Sequence, residues 1–175
     1  MGMMAVSIRP YRLEDTGHLH QAAVESTAEV FPWLPWCRPG YEMADASGWV
    51  PGQVQRWQNG EEHQFVIQSS DGRFLGGCGI NGINREHGFA NLGYWVRTSA
   101  MGQGVAPEAV RQLRDWVFAN TPIVRLEIVV AVGNTRSARV AEKAGAQFEG
   151  VLRARIQLHG FTHDARMYAL IRPSP

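Results

Sequence analysis

The sequence predicts a mixed α/β (α+β) domain, one central, mostly antiparallel sheet of about seven strands covered by four helices. Three observations carry that reading. Residues 63–96 contain three apolar-rich segments separated only by the short turns Ser70-Asp71-Gly72 and Arg85-Glu86-His87-Gly88, so they form an antiparallel meander. Residues 93–116 pass from an apolar strand through a glycine-bearing loop into a helical pattern. The chain closes on two further segments around His159-Gly160, which read as a final hairpin.

Taken in order, Val6 to Arg12 alternates apolar and polar residues as a first strand ending in Pro10-Tyr11. From Leu13 to Val30 the period becomes helical, with Leu19, Ala22, Ala23 and Ser26 on one side. In Phe31-Pro32-Trp33-Leu34-Pro35-Trp36-Cys37 the prolines break regular structure and the aromatics need either a core or a ligand. Core packing is the default for them, and a pocket wall is the alternative. Tyr41 to Asn59 is a second helical region, expected to be interrupted at Gly48 or Pro51.

The meander strands are His63–Gln68, Phe74–Ile83 and Phe89–Val96. A helix then opens at Pro107, since proline is pre-set for a first helical position. Its Ala109, Val110, Leu113, Trp116 and Val117 fall at helical spacing, and Arg111, Gln112, Arg114 and Asp115 face elsewhere. Arg125 to Val132, dense in Ile and Val, is a strand flanked by covering elements. Asn134 caps a short helix that runs to Ala144 and stops at Gly145, and Phe148–Leu158 and Phe161–Ile171 form the hairpin.

The loop before Pro107 carries the chemistry. A helix leaves its first-turn N–H groups free, and these are usually capped by Ser, Thr, Asp or Asn. Here the preceding residues are Gly102, Gln103, Gly104, Val105 and Ala106, so the donors remain for something else. Glycine allows a positive φ and close approach of a ligand, and the helix dipole favours negative charge at that end. A diphosphate fits; an ordinary tight strand-to-helix loop is the alternative.

Composition narrows the function. At 175 residues and 45% hydrophobic content the chain suits one domain, residues 1–175. Seventeen basic against sixteen acidic residues give a net charge of +1, without the basic stripe of a nucleic-acid binder. Cys37 and Cys78 are too few for a disulfide framework or zinc site, which suits a reducing compartment. No run of 18 apolar residues suggests a membrane span, and Met-Gly-Met-Met-Ala-Val-Ser matches neither a signal peptide nor a myristoylation signal; a cytoplasmic location is expected.

Two motifs mislead. Gly77-Cys78-Gly79-Ile80-Asn81-Gly82 matches the dinucleotide fingerprint literally, yet it lies inside a meander strand and opens no helix, so its glycines mark a bulge or close packing. His159 and His163 flank a hairpin turn and share no helical face for a metal.

The pieces Gly93-Tyr94-Trp95-Val96, Gly102-Gln103-Gly104-Val105-Ala106-Pro107-Glu108-Ala109, Asn134-Thr135-Arg136-Ser137, Glu142-Lys143-Ala144-Gly145 and Glu149-Gly150-Val151-Leu152-Arg153 occur in one order. Together they resemble the GCN5-related N-acetyltransferases (GNAT), in the branch named RimJ and RimL, over almost the whole chain. The resemblance implies a sheet splayed between the fourth and fifth strands, with the pantetheine of acetyl-CoA pairing with backbone at Trp95, Val96 and Arg97. It implies the diphosphate on the amides of Met101 to Ala106, which agrees with the uncapped helix. A backbone N–H near Val96 would polarise the acetyl carbonyl, Asn134 would bind the pantetheine arm, and Ser137 would donate to the sulfur of coenzyme A. Helix capping is the plainer role for Asn134 and Ser137.

The resemblance also puts Trp33, Trp36, Asn91 and Tyr94 on the acceptor side, with no metal. Relatives often carry Glu two residues before Gly-Tyr, where this chain has Asn91, an amide that cannot deprotonate an ammonium ion. An ordered water, Glu86 or His87 could replace the base, and Asn91 could orient the acceptor. The implied activity is direct acetyl transfer to a primary amine, either a protein or peptide N-terminus or a small amine, by a monomer or homodimer. A catalytically weak acyl-CoA sensor is the alternative; a nucleotide-binding domain lacks a lysine after the loop.

Overall fold

In the computed structural model, which describes residues 5–174, the strands β1 (Val6–Pro10), β2 (His63–Ser69), β3 (Phe74–Asn84), β4 (Phe89–Val96), β5 (Arg125–Ala131), β6 (Gln147–Leu158) and β7 (Phe161–Ile171) form one sheet. Their order is β1-β2-β3-β4-β5-β7-β6, and every neighbouring pair is antiparallel except β4 with β5. The helices are α1 (Thr16–Val30), α2 (Met43–Gln58), α3 (Val105–Asn120) and α4 (Thr135–Lys143). The seven strands and four helices predicted are therefore the ones found. The expectations about the chain's start concern in part Met1–Met4, which lie outside the described residues.

The two sheet faces bury separate cores. Leu19, Ala22, Ala23 and Val30 of α1 join Ala46 and Val50 of α2 against Val66 and Phe74 on one face. On the other, Val110, Leu113 and Val117 of α3 and Ala138 and Ala141 of α4 pack on Ile80, Leu92, Leu126 and Ile128. Alternation along β4 and β5 sends each second residue to each face, so the strands serve both layers. The glycines of β3 are there for closeness: a Cβ on Gly77 would stand 2.8 Å from the Trp95 indole nitrogen.

Three expectations need correction. Helix α2 is not interrupted, because Pro51 and Ser47, whose carbonyl the proline leaves unpaired, lie on its exposed side while Ala46, Val50 and Gln53 hold the other. Helix α3 opens at Val105, two residues early; Pro107 is its third residue, where a backbone N–H would still lack a helical partner. The last hairpin turns at His159 and Gly160 as expected, both with positive φ, but β6 is not regular. Leu152 pairs with Ala165 and Ile156 with His163, so Arg153, Ala154 and Arg155 stand opposite Asp164 alone in a bulge.

Candidate active site

Strands β4 and β5 pair only where Phe89–Asn91 lie beside Arg125–Glu127. Past Asn91 they part, and the sheet opens as a fork. Backbone groups alternate sides along a strand, and both ends of β4 fix the phase. The Gly88 carbonyl accepts the Val124 amide at 2.8 Å on the β5 side, while the Arg97 amide donates to Leu75 O at 2.8 Å on the β3 side. Tyr94 and Val96 therefore turn their N–H and C=O toward the gap. Trp95 turns its backbone toward β3, and Arg97 is spent on Leu75 and on the Ala100 amide its carbonyl accepts at 2.9 Å. Of the expected trio, only Val96 offers main-chain groups to the fork.

A short 3-10 turn, Thr98–Ala100, leads from β4 into the loop before α3. Gly102 and Gly104 have φ of 75° and 77°, and Gly104 is the N-cap, with no side chain capping the helix. The amides of Gly102, Gln103, Gly104, Val105 and Ala106 have no partner among the described residues. The Met101 amide does, donating to Thr98 O at 3.2 Å, so Met101 leaves the expected cradle. A Cβ on either glycine would meet no atom within 4 Å. That is room above convergent N–H groups at a helix start, which is what an anion needs.

The loop is tethered from below by α1. Glu25 pairs with Arg97, which is 6% exposed, and accepts the Ser99 amide at 2.9 Å. Ser26 Oγ accepts the Thr98 amide at 3.0 Å, and the Thr98 hydroxyl donates to Glu29 at 2.8 Å. The hydrogen bond from Arg97, with those from Ser99, lowers the Glu25 carboxyl to about 2.

Across the gap, Asn134 caps α4 through Oδ1, which accepts the Ser137 amide at 3.2 Å, and its Nδ2 has no partner among the described residues. Tyr94 departs from the acceptor-side expectation: with Ala90, Leu92 and Val96 it belongs to the face that α3 and α4 cover. Its hydroxyl donates to Ser137 O at 2.8 Å and lies 3.0 Å from Ser137 Oγ. Burial pushes its pKa up to about 12, so the phenol holds its proton at any physiological pH.

The opposite face holds a cavity of about 480 Å³ at the closed end of the fork, with Trp33, Asn91, Glu127, Val129 and Arg155 among its walls. That volume lies within the range of small-molecule sites. Trp33 and Asn91 both line it, Asn91 donating to Asn81 Oδ1 at 3.0 Å. Trp36 is not in the wall; it packs edge-on against Trp95, ring centroids 5.2 Å apart. Glu86 and His87 are exposed in the β3–β4 turn, where the His87 amide donates to Asn84 Oδ1 at 2.8 Å. Sequence reading missed Glu127. Register sets it beside Asn91, a pairing of residues 36 positions apart that no local pattern reveals. Among the described residues no three His, Cys, Asp or Glu side chains gather as metal ligands, and both cysteines are free and buried. No helix described is long and apolar enough to cross a membrane.

Residues 6–147 match the family model described as an acetyltransferase (GNAT) domain. The probable N-acetyltransferase YjcK of Bacillus subtilis is 32% identical over 121 residues, 68% of this chain and 67% of that protein. The ribosomal-protein-serine acetyltransferase of Escherichia coli is 30% identical over 138 residues, 79% of this chain and 76% of that protein. Among solved structures, RimL, a ribosomal L7/L12 alpha-N-protein acetyltransferase in complex with coenzyme A, superposes with a TM-score of 0.87 at 25% identity, covering 96% of this chain and 94% of RimL.

Proposed function

This chain belongs to the GNAT acetyltransferase family, and from that premise we propose that residues 1–175 form a single domain that moves the acetyl group of acetyl-CoA to a primary amine in one ternary complex. The observation that carries the reading is the fork between β4 and β5 beside the unpaired amides of Gly102–Ala106. Acetyl-CoA, when bound, supplies the thioester that the amine attacks. The amides of Gly102, Gln103, Gly104, Val105 and Ala106 hold its diphosphate, Val96 backbone and the free Nδ2 of Asn134 hold the pantetheine arm, and the α1 tether keeps this loop in place.

The Val96 N–H, aimed into the gap, stabilises negative charge building on the acetyl oxygen. Ser137 gives its proton to the departing sulfur, Tyr94, 3.0 Å from its oxygen and protonated up to about 12, passes its own proton to Ser137, and water returns a proton to the phenolate before the next turnover. Asn91 orients the acceptor and takes no proton; the ammonium proton leaves to water through the open cavity. Donor and acceptor thus approach from opposite faces of one sheet and meet where it splits. A protein or peptide N-terminus is the favoured acceptor, by likeness to the ribosomal-protein acetyltransferases, and a ribosomal acceptor would place the reaction in the cytoplasm.

Release of free coenzyme A across N-terminal peptides, polyamines and aminoglycosides tests the reading. Transfer to at least one amine class is expected. Tight uptake of acetyl-CoA with transfer to none would instead make the protein an acyl-CoA sensor, the reading that Asn91 in place of a carboxylate keeps alive.

A further inference from the structure

Two ionisable side chains of opposite sign, Glu127 and Arg155, line the acceptor cavity. They are held differently. Glu127 Oε1 accepts the Arg125 Nε at 2.8 Å, but the other two Arg125 nitrogens go to Glu149, at 2.8 and 2.6 Å. One guanidinium thus serves two carboxylates, and the cluster of Arg125, Glu127 and Glu149 keeps a net negative charge. Arg155 makes no ion pair or hydrogen bond among the described residues, so its guanidinium is uncommitted.

Arg155 reaches the cavity from the β6 bulge, and that bulge is strained. Ala154 has a φ of 52°, a left-handed conformation that is unfavourable for a residue other than glycine. Asp164, alone across the bulge, holds it by accepting the Ala154 amide at 2.8 Å. Bulges beside active sites re-aim side chains, and local strain gathers where a site needs a geometry the chain would not choose. Without the bulge, strict alternation along β6 would carry Arg155 in a different register against β7.

We propose that the acceptor is a zwitterion: an amine with a carboxylate or phosphate close by. Glu127, beside Asn91, binds the ammonium, and Arg155 binds the anion. The proposal rests on the acetyltransferase reading and narrows its substrate. Polyamines and aminoglycosides, with positive charge and no anion, meet a repelling guanidinium at Arg155 and are poor acceptors.

Free amino acids, and peptides with Asp, Glu or phosphoserine in the first two positions, are compared with peptides carrying Asn, Gln or Ser there, C-termini amidated. The three anionic arms tell an α-carboxylate, a side-chain carboxylate and a phosphate apart. At least one anionic arm should exceed its neutral counterpart by roughly tenfold in kcat/KM, mostly through KM. R155A should erase that preference without changing acetyl-CoA affinity, R155E should turn it toward cationic partners, and E127Q should raise KM for every amine. Equal use of anionic and neutral acceptors by the wild type, or a preference that survives R155A, overturns the proposal while leaving acetyl transfer standing. If nothing is acetylated, calorimetry of the same peptides on coenzyme A-loaded protein decides. An Arg155-dependent anionic preference there upholds the acceptor assignment and sinks the transfer reading; no preference sinks the assignment.

Discussion

Tyr94 and Ser137 share one short contact, and in the proposed mechanism protonation of the leaving group runs through it. The phenol has one proton and two oxygens of Ser137 to give it to. While it bonds the carbonyl at 2.8 Å, the Ser137 hydroxyl is left to point its proton at Tyr94; in the proposed relay both hydroxyls then rotate, Ser137 protonates the thiolate, Tyr94 reprotonates Ser137, and water refills the phenolate. Removing the serine hydroxyl in Ser137→Ala should lower kcat by about 100-fold, the low end for general-acid catalysis because a thiolate leaves easily. Acetyl-CoA affinity should hardly change, as calorimetry will show. Tyr94→Phe should cost less, since water can resupply Ser137. Because burial raises Tyr94 to about 12, its acid form persists through the whole assay range, and the alkaline limb of the wild-type pH–rate profile should match that of Tyr94→Phe. A limb that moves between the two would contradict the relay.

The loop between β4 and α3 works as an element because it is empty on top and anchored beneath. A Cβ at Gly104 meets nothing within 4 Å, so Gly104→Ala should destabilise the fold by only about 1–2 kcal/mol, the cost of a left-handed alanine, while obstructing a diphosphate held against the backbone. Acetyl-CoA affinity should fall at least about tenfold, worth roughly 1.4 kcal/mol by calorimetry. The anchor predicts a pH signature. The Glu25 carboxyl is lowered to about 2 from an ordinary 4.5 by its bond from Arg97, so its contribution is complete above pH 4.5 and is lost as pH falls toward 2. Glu25→Gln should therefore lose about 1–2 kcal/mol in urea unfolding at pH 7, after allowance for a partly exposed pair, and the difference should shrink by pH 3.

At this scale the sequence was informative where the signal was local. Glycines without a capping residue marked the loop, and Asn134 and Gly145 marked both ends of α4. Pro107 misled by two residues because a proline fits the third helical position as well as the first. The face of Tyr94 could have been read from the alternation Ala90, Leu92, Tyr94, Val96, but the motif drew attention to its neighbours instead. Glu127 and Arg155 were not legible at all. One reaches the site through strand register, the other through a bulge whose Ala154 is an unremarkable residue in sequence.

Over the whole molecule, one sheet does two jobs by failing to stay closed. Its paired end, β4 against β5 at Asn91 and Glu127, forms the floor of the cavity proposed for the acceptor on the α1–α2 side. Its open end exposes main chain and the start of α3 to a long donor from the other side. Trp33→Ala, which removes one wall of the cavity, should raise KM for the amine several-fold, the scale of a lost aromatic contact, and leave acetyl-CoA binding unchanged. An equal effect on both ligands would mean that the two faces do not divide the substrates. The most direct measurement is a crystal structure with coenzyme A bound. The diphosphate should rest on the amides of Gly102 to Ala106, and the pantetheine should run along Val96 into the fork; coenzyme A bound elsewhere, or a closed β4–β5 gap with no uptake at millimolar concentration, would contradict the account.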